Sequence, residues 1–294
     1  MTNNKIKIAL TFDDAPSINE ENITFRPERM DKVIEILLKN KISHCTAFVI
    51  GKYAIGHEAI LLRWLDAGFQ LGNHTFYHDH CSQLSDSEFE KTVLKCHTVL
   101  ESVDAFSIVD EKWFRFPYLE AGINSSQRKK FKEILSDLGY KIAHASISFN
   151  DHQYERPLEN AIKTSPINIK RVSKRYLNNV AKAVHLFDKI YKNEYGYSIE
   201  HIAYAHFGGI SENCLDQLLM NLGEMDIEWS TLNSASKCNV YSDFETNNYV
   251  NGLIISMQNI PYLTFKFRRK LFRLSQKLNL FQQSKYGPKW PYLE

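Results

Sequence analysis

Residues 6–12 alternate apolar and polar or small side chains, with Ile6, Ile8, Leu10 and Phe12 on one side, and this period of two predicts a strand. Strand-like runs recur at 44–50, 69–72, 113–116, 140–147, 202–206 and 227–231. Between them, apolar residues spaced three and four apart predict helices over 28–40, 57–67, 86–103, 126–138, 171–192 and 211–223, the last begun by a Ser211 cap. Strands that alternate with helices imply an α/β fold around a parallel sheet, and 294 residues lie within the single-domain range of α/β barrels. Residues 155–200 interrupt the alternation. There Val180, Val184, Phe187 and Tyr191 place an apolar stripe on a helix that packs outside the barrel, while a polar loop from Tyr154 to Pro166 is positioned to overhang a site.

Composition changes this picture little, and charge changes it more. Apolar residues make up 44% of the chain, enough for a large core. The net charge of +2 hides an asymmetry: residues 1–245 carry 28 basic and 33 acidic side chains, whereas residues 246–294 carry 8 basic and 1 acidic. The chain therefore reads as a catalytic barrel over 1–245, with its helical insertion at 155–200, and a basic helical extension over 246–294. From Leu263 to Phe281 apolar residues follow helical spacing among lysines and arginines, a pattern that packs on the barrel or lies on an anionic membrane surface. No nucleic-acid partner is expected. Five cysteines, odd in number and without paired zinc spacing, read as reduced thiols. Met1–Lys5 lead straight into the first strand without an apolar signal region, and no run reaches the length of a membrane span. The expected location is therefore cytoplasmic, peripheral to the inner face of the membrane if the basic helix binds there.

The candidate chemistry is concentrated at strand ends. The first strand runs into the adjacent carboxylates Asp13 and Asp14, and Gly72-Asn73-His74-Thr75-Phe76-Tyr77-His78 follows the third. Two histidines four apart share one face of a helical turn, so both rings reach one ion. Gly72 and Asn73 suit a tight strand-to-helix entry, and Thr75 is placed to cap or brace the turn. With one carboxylate they form a two-histidine, one-carboxylate metal site, and the second carboxylate is left beside a metal-activated water. Neighbouring side chains of a strand point oppositely, so the two aspartates divide the labour unless the chain turns between them.

Thr11-Phe12-Asp13-Asp14, His74-Thr75-Phe76-Tyr77-His78, Arg115-Phe116-Pro117-Tyr118 and the His206 that closes Ile202-Ala203-Tyr204-Ala205-His206 stand in the order and spacing of a known family. Over residues 5 to 235 the sequence resembles the polysaccharide deacetylases, the nodulation-B homology group or carbohydrate esterase family 4. The resemblance implies a distorted (β/α)7 barrel. It also implies Asp13 as general base, Asp14 with His74 and His78 as ligands of a divalent, zinc-class metal ion, Arg115 orienting the base and His206 as general acid. Pro117 and Tyr118 fall in the substrate-binding segment, with a backbone donor near Tyr118 for the carbonyl oxygen. Two departures stand out. Ala15 replaces the family's usual glycine, and the fourth motif, usually Asp-x-x-Asp-Trp, reads Ser148-Phe149-Asn150-Asp151-His152. Either Asp151 takes over the pairing with His206 through a shifted turn, or His206 works without a carboxylate. His152 stands where the family's tryptophan walls the pocket, and Tyr154 is a further candidate for that aromatic role.

The chemistry is consistent with these roles, since a departing amine requires protonation and an imidazole supplies it near neutral pH. The favoured reading is a metal-dependent hydrolase that removes an acetyl or formyl group from a soluble, nucleotide-linked or lipid-linked amino sugar. A second reading keeps the fold and metal but takes a non-sugar amide or cyclic imide. The third is a non-catalytic sugar-binding module, which has no need of both an acid and a base.

Overall fold

The structure is a computed structural model that describes residues 5–17, 25–107, 109 and 111–246. The elements follow one another as β1 (Ile6–Ala15), α1 (Glu28–Lys39), β2 (Thr46–Val49), α2 (Gly51–Ala54), α3 (Glu58–Asp66), β3 (Gln70–Asn73), α4 (Asp86–Ser102), β4 (Lys112–Phe114) and α5 (Ser125–Asp137). There follow β5 (Tyr140–Ile142), β6 (Ile147–Ser148), α6 (His152–Thr164), α7 (Pro166–Tyr195), β7 (Glu200–His206), α8 (Gly209–Gly223), β8 (Ile227–Ser230), α9 (Leu232–Ala235) and α10 (Asn239–Thr246). The basic helix expected from Leu263 lies outside the described residues. Among those described, no helix is long and apolar enough to cross a membrane.

All pairings are parallel, in the order β5-β4-β3-β2-β1-β7-β6, with β8 on the first residues of β1. The sheet is an open, distorted barrel, and its seam corrects one expectation. Residues 140–147 are not one strand but two, and they lie on opposite edges of the sheet. The backbone crosses between the edges at 143–146, where the Ala143 N–H donates to the Phe114 carbonyl at 2.7 Å and the Ser146 N–H to that of Ile202 at 2.9 Å. Continuous hydrophobicity marks a buried stretch but not the point at which it changes partners.

The insertion differs likewise. The stripe Val180, Val184, Phe187 and Tyr191 is buried on α7 as expected, but the loop foreseen from Tyr154 to Pro166 is helix α6. Pro157 lies inside that helix, and its buried face consists of Glu155, Leu158 and Ala161. A proline and a buried acid conceal the apolar periodicity by which an amphipathic helix is recognised.

Two buried clusters hold the layers together. In one, Phe12 of β1 packs on Phe207 with ring centroids 5.0 Å apart, and Trp64 of α3 meets Phe207 edge-on at 5.6 Å. In the other, Phe89 of α4 stacks on Phe131 of α5 at 4.0 Å and meets Phe114 edge-on at 5.7 Å. Each buried ring of this kind contributes about 1.5–3 kcal/mol.

Candidate active site

The site lies at the carboxyl ends of the strands, where loops carry catalytic groups in (β/α) barrels. β1 and β7 run in register from Lys7 opposite Glu200 to Asp13 opposite His206. Beyond Phe12 the pairing of β1 with β2 slips, so that Phe12 faces Ala47 while Ala15 faces Val49, and Asp14 adopts φ 61°. The extra residue turns the chain between the aspartates. Both line one cavity of about 160 Å³ with His74, His78, Tyr118, Leu119, His152, Tyr204 and His206.

The two histidines do not sit on a helical turn. His74 follows β3 directly and residues 74–80 are irregular, with Thr75 at φ 63° and His78 at φ 61°. Side chains hold this turn in place of a helix. The Thr75 hydroxyl accepts the N–H groups of His78 at 3.1 Å and Asp79 at 3.3 Å. The Asn73 side chain accepts the Thr75 N–H at 2.9 Å and donates to the Val93 carbonyl at 2.9 Å. Gly72 belongs to the strand rather than to a helix entry, since a Cβ there would stand 2.6 Å from the Phe48 ring.

Asp14, His74 and His78 each offer a ligand atom within 4.8 Å of the other two. Asp14 Oδ1 stands 3.4 Å from His74 Nε2 and 3.1 Å from His78 Nε2, and it is buried without a hydrogen-bond partner. The second nitrogens are engaged elsewhere. His74 Nδ1 donates to the Arg115 carbonyl at 2.8 Å and His78 Nδ1 meets the Tyr118 hydroxyl at 3.2 Å, which leaves both Nε2 atoms aimed at the carboxylate. Burial alone would raise the Asp14 pKa, but His78 and His74 outweigh it and hold the carboxyl well below its usual range. A buried, unpartnered carboxylate oxygen facing two imidazole nitrogens is a donor set that fits a divalent ion.

On one side of this set, Arg115 is wholly buried and its Nη1 donates to Asp13 Oδ1 and to the Thr11 hydroxyl, each at 2.7 Å. Its Nε donates to the Ala143 carbonyl at 3.1 Å, so the same guanidinium that aims Asp13 also ties down the barrel seam. On the other side, His206 Nδ1 donates to Asp151 Oδ1 at 2.8 Å, and the His206 backbone N–H donates to Asp151 Oδ2 at 2.6 Å. Of the two alternatives the sequence leaves open, the structure has the first: Asp151, at the head of α6, takes the pairing. Ser148 turns back on its own loop, its hydroxyl accepting the Asn150 N–H at 3.1 Å. Burial opposes charge on His206, but Asp151 outweighs it and the imidazole is pushed up to about 10. The Asp151 carboxyl is lowered, the charge and hydrogen bonds of His206 overcoming its burial.

The description of the family model matching residues 1–143 is polysaccharide deacetylase. The match spans just under half of the chain. Over 117 residues the chain is 30% identical to a peptidoglycan-N-acetylglucosamine deacetylase of Bacillus cereus, covering 40% of this chain and 38% of that protein. Over 129 residues it is 31% identical to PdaC, a peptidoglycan-N-acetylmuramic acid deacetylase of Bacillus subtilis, covering 44% of this chain and 24% of that one. The chain thus spans well under half the length of these curated relatives. Among solved structures, a CE4 family pseudoenzyme from Bacillus anthracis superposes with a TM-score of 0.56 at 18% identity, over 79% of this chain and 66% of that one. At that identity the likeness shows the fold, which is the distorted (β/α)7 barrel of the polysaccharide deacetylases.

Within the polysaccharide deacetylase fold, His152 and Tyr154 part company. His152 lines the cavity edge-on to His206, with ring centroids 5.6 Å apart, and burial followed by the charge of His206 brings its pKa down to about 4. The wall there is a neutral imidazole. Tyr154 does not line the cavity: its ring packs on Tyr176 at 5.4 Å and its hydroxyl accepts from Asn179. Asp151 is the N-cap of α6, so the helix's first turn carries Tyr154 away from the site. Pro117 is buried, while Tyr118 (φ 55°) lines the cavity, half exposed and stacked on His80 at 4.0 Å. Sequence reasoning missed Tyr204, Thr11 and Leu119. The first two were accessible from strand alternation, because Tyr204 shares a face with His206 and stands opposite Thr11, which shares a face with Asp13. Leu119 gives no such signal, since it reaches the cavity by an irregular turn at φ 57°.

Proposed function

We propose that this chain is a metal-dependent hydrolase that removes the N-acetyl group of an amino sugar. The observation that carries this reading is the placement of an Arg115-held carboxylate and an Asp151-held imidazole at facing positions of β1 and β7, with the Asp14, His74 and His78 donor set in the same cavity. A zinc-class ion, when bound by those three residues, polarises the amide carbonyl and acidifies a water. Asp13, fixed by Arg115, is placed to take the water's proton, and His206, charged at neutral pH, to give one to the departing nitrogen. The charge of Asp151 beside His206 keeps this acid protonated at neutral pH. Tyr118 at the rim and the neutral His152 in the wall orient the sugar and its acyl group. A catalytic pair is more than a binding module needs, and the B. cereus and B. subtilis relatives are named for removing N-acetyl groups from amino sugars. The test is a panel of N-acetyl and N-formyl amino sugars, free, nucleotide-linked and polymeric, set beside simple amides and cyclic imides and assayed for released acid. Release from N-acetyl sugars alone supports the reading; turnover confined to non-sugar amides or imides replaces the substrate class.

A further inference from the structure

Helix α8 starts three residues after His206, and its N-cap, Gly208, has no side chain to accept the first free N–H groups. Glu155, buried to 1% exposure on α6, supplies both acceptors from outside the helix. Its Oε2 accepts the Gly209 N–H and its Oε1 the Ile210 N–H, each at 2.8 Å. The contact leaves no slack, because a Cβ on Gly209 would stand 3.1 Å from Glu155 Oε2 and 3.4 Å from the Arg29 guanidinium behind it. Glu155 follows Asp151 by four residues, so the two carboxylates lie on one side of α6. Asp151 takes the ring and N–H of His206, Glu155 takes the N–H groups at 209 and 210, and the Ser211 hydroxyl donates to the His206 carbonyl at 2.6 Å. One rigid helix thus grips the segment that carries His206 at both ends.

We infer that Glu155 is a positioning residue, which fixes the imidazole of His206 against Asp151 by clamping the first turn of α8. A single acceptor would cap the helix, whereas the two-oxygen fork also sets its distance from α6. Burying a carboxylate opposes folding, so capping alone does not account for one here. This role rests on the reading of His206 as the general acid.

The test compares the full-length, zinc-loaded wild type with Glu155→Gln, which presents a donor to one of the two N–H groups, and with Gly209→Ala, which crowds the same contact from the other side. In both variants amide exchange over residues 206–210 should quicken at least tenfold. Turnover of an N-acetylglucosamine oligomer should fall roughly ten- to a hundredfold with KM held within twofold. The alkaline limb of the pH–rate profile should move to lower pH, as in Asp151→Asn. Faster exchange with kcat and the limb unchanged would overturn the positioning role and leave Glu155 a helix cap. Unchanged exchange in both variants would overturn the clamp itself, and that readout holds whether or not the wild type turns over any sugar; an inactive wild type counts against the proposed function instead.

Discussion

Asp13 and His206 are direct partners across β1 and β7, the last pair of a register that begins at Lys7 and Glu200. The separation of these two side chains is therefore set by sheet pairing, and a one-residue slip would turn one of them out of the cavity. Asp13→Asn should keep its metal and lose two to four powers of ten in turnover, the range for a positioned base. Metal content and kcat measured on the same preparation check this, and near wild-type turnover would move the base to another group.

The Asp151 contact makes a prediction in pH. His206 is held above its ordinary 6.5 at about 10, so this contact stabilises the fold fully below about pH 6.5 and ceases to do so as pH rises through 10. In the proposed mechanism the acid form is the working form, so activity should fall on the alkaline side. Asp151→Asn should shift that fall to lower pH and flatten the loss of thermal stability between neutral and alkaline pH. Profiles that superpose with wild type in both measurements would separate Asp151 from His206.

Arg115 joins two tasks, and removing it should show both. Arg115→Leu leaves Asp13 buried without its ion-pair partner and the Ala143 carbonyl without its donor. Loss of one member of such a buried pair costs about 3–5 kcal/mol, so denaturant unfolding should show a drop of that order besides the loss of activity. A variant as stable as wild type would mean that water replaces the guanidinium.

Gly72 makes a prediction about packing. Its missing Cβ leaves room for the Phe48 ring, on whose face the Arg115 guanidinium rests with its carbon 4.2 Å from the centroid. Gly72→Ala should cost about 1–3 kcal/mol through overpacking and lower turnover by displacing Arg115. Stability lost without any change in kcat would separate the packing of Phe48 from the aim of Asp13.

What the sequence revealed and what it concealed divide along physical lines. The strand ends were legible because Asp13, His74, Arg115 and His206 end or directly follow buried runs of apolar residues, and burial leaves a period in the sequence. The histidine turn was misread as helical because spacing alone does not distinguish a helical turn from one held by Thr75 and Asn73 side chains. The strand over 140–147 was misread because it changes edges at Ala143, and α6 was missed because Glu155 occupies a position where an apolar residue would have announced a helix. That acid is buried for its hydrogen bonds to α8, which no local pattern records.

The central claim is that Asp14, His74 and His78 hold the ion on which removal of an N-acetyl group depends. Its most direct test is acetate released from an N-acetylglucosamine oligomer by wild type and His78→Ala, each stripped with chelator and reloaded with zinc, with bound metal counted on the same samples. The account predicts release by wild type that disappears on stripping and returns on reloading, and a His78→Ala protein that is folded, poor in metal and inactive. Release that survives stripping, or a His78→Ala protein with full metal and full activity, would contradict it.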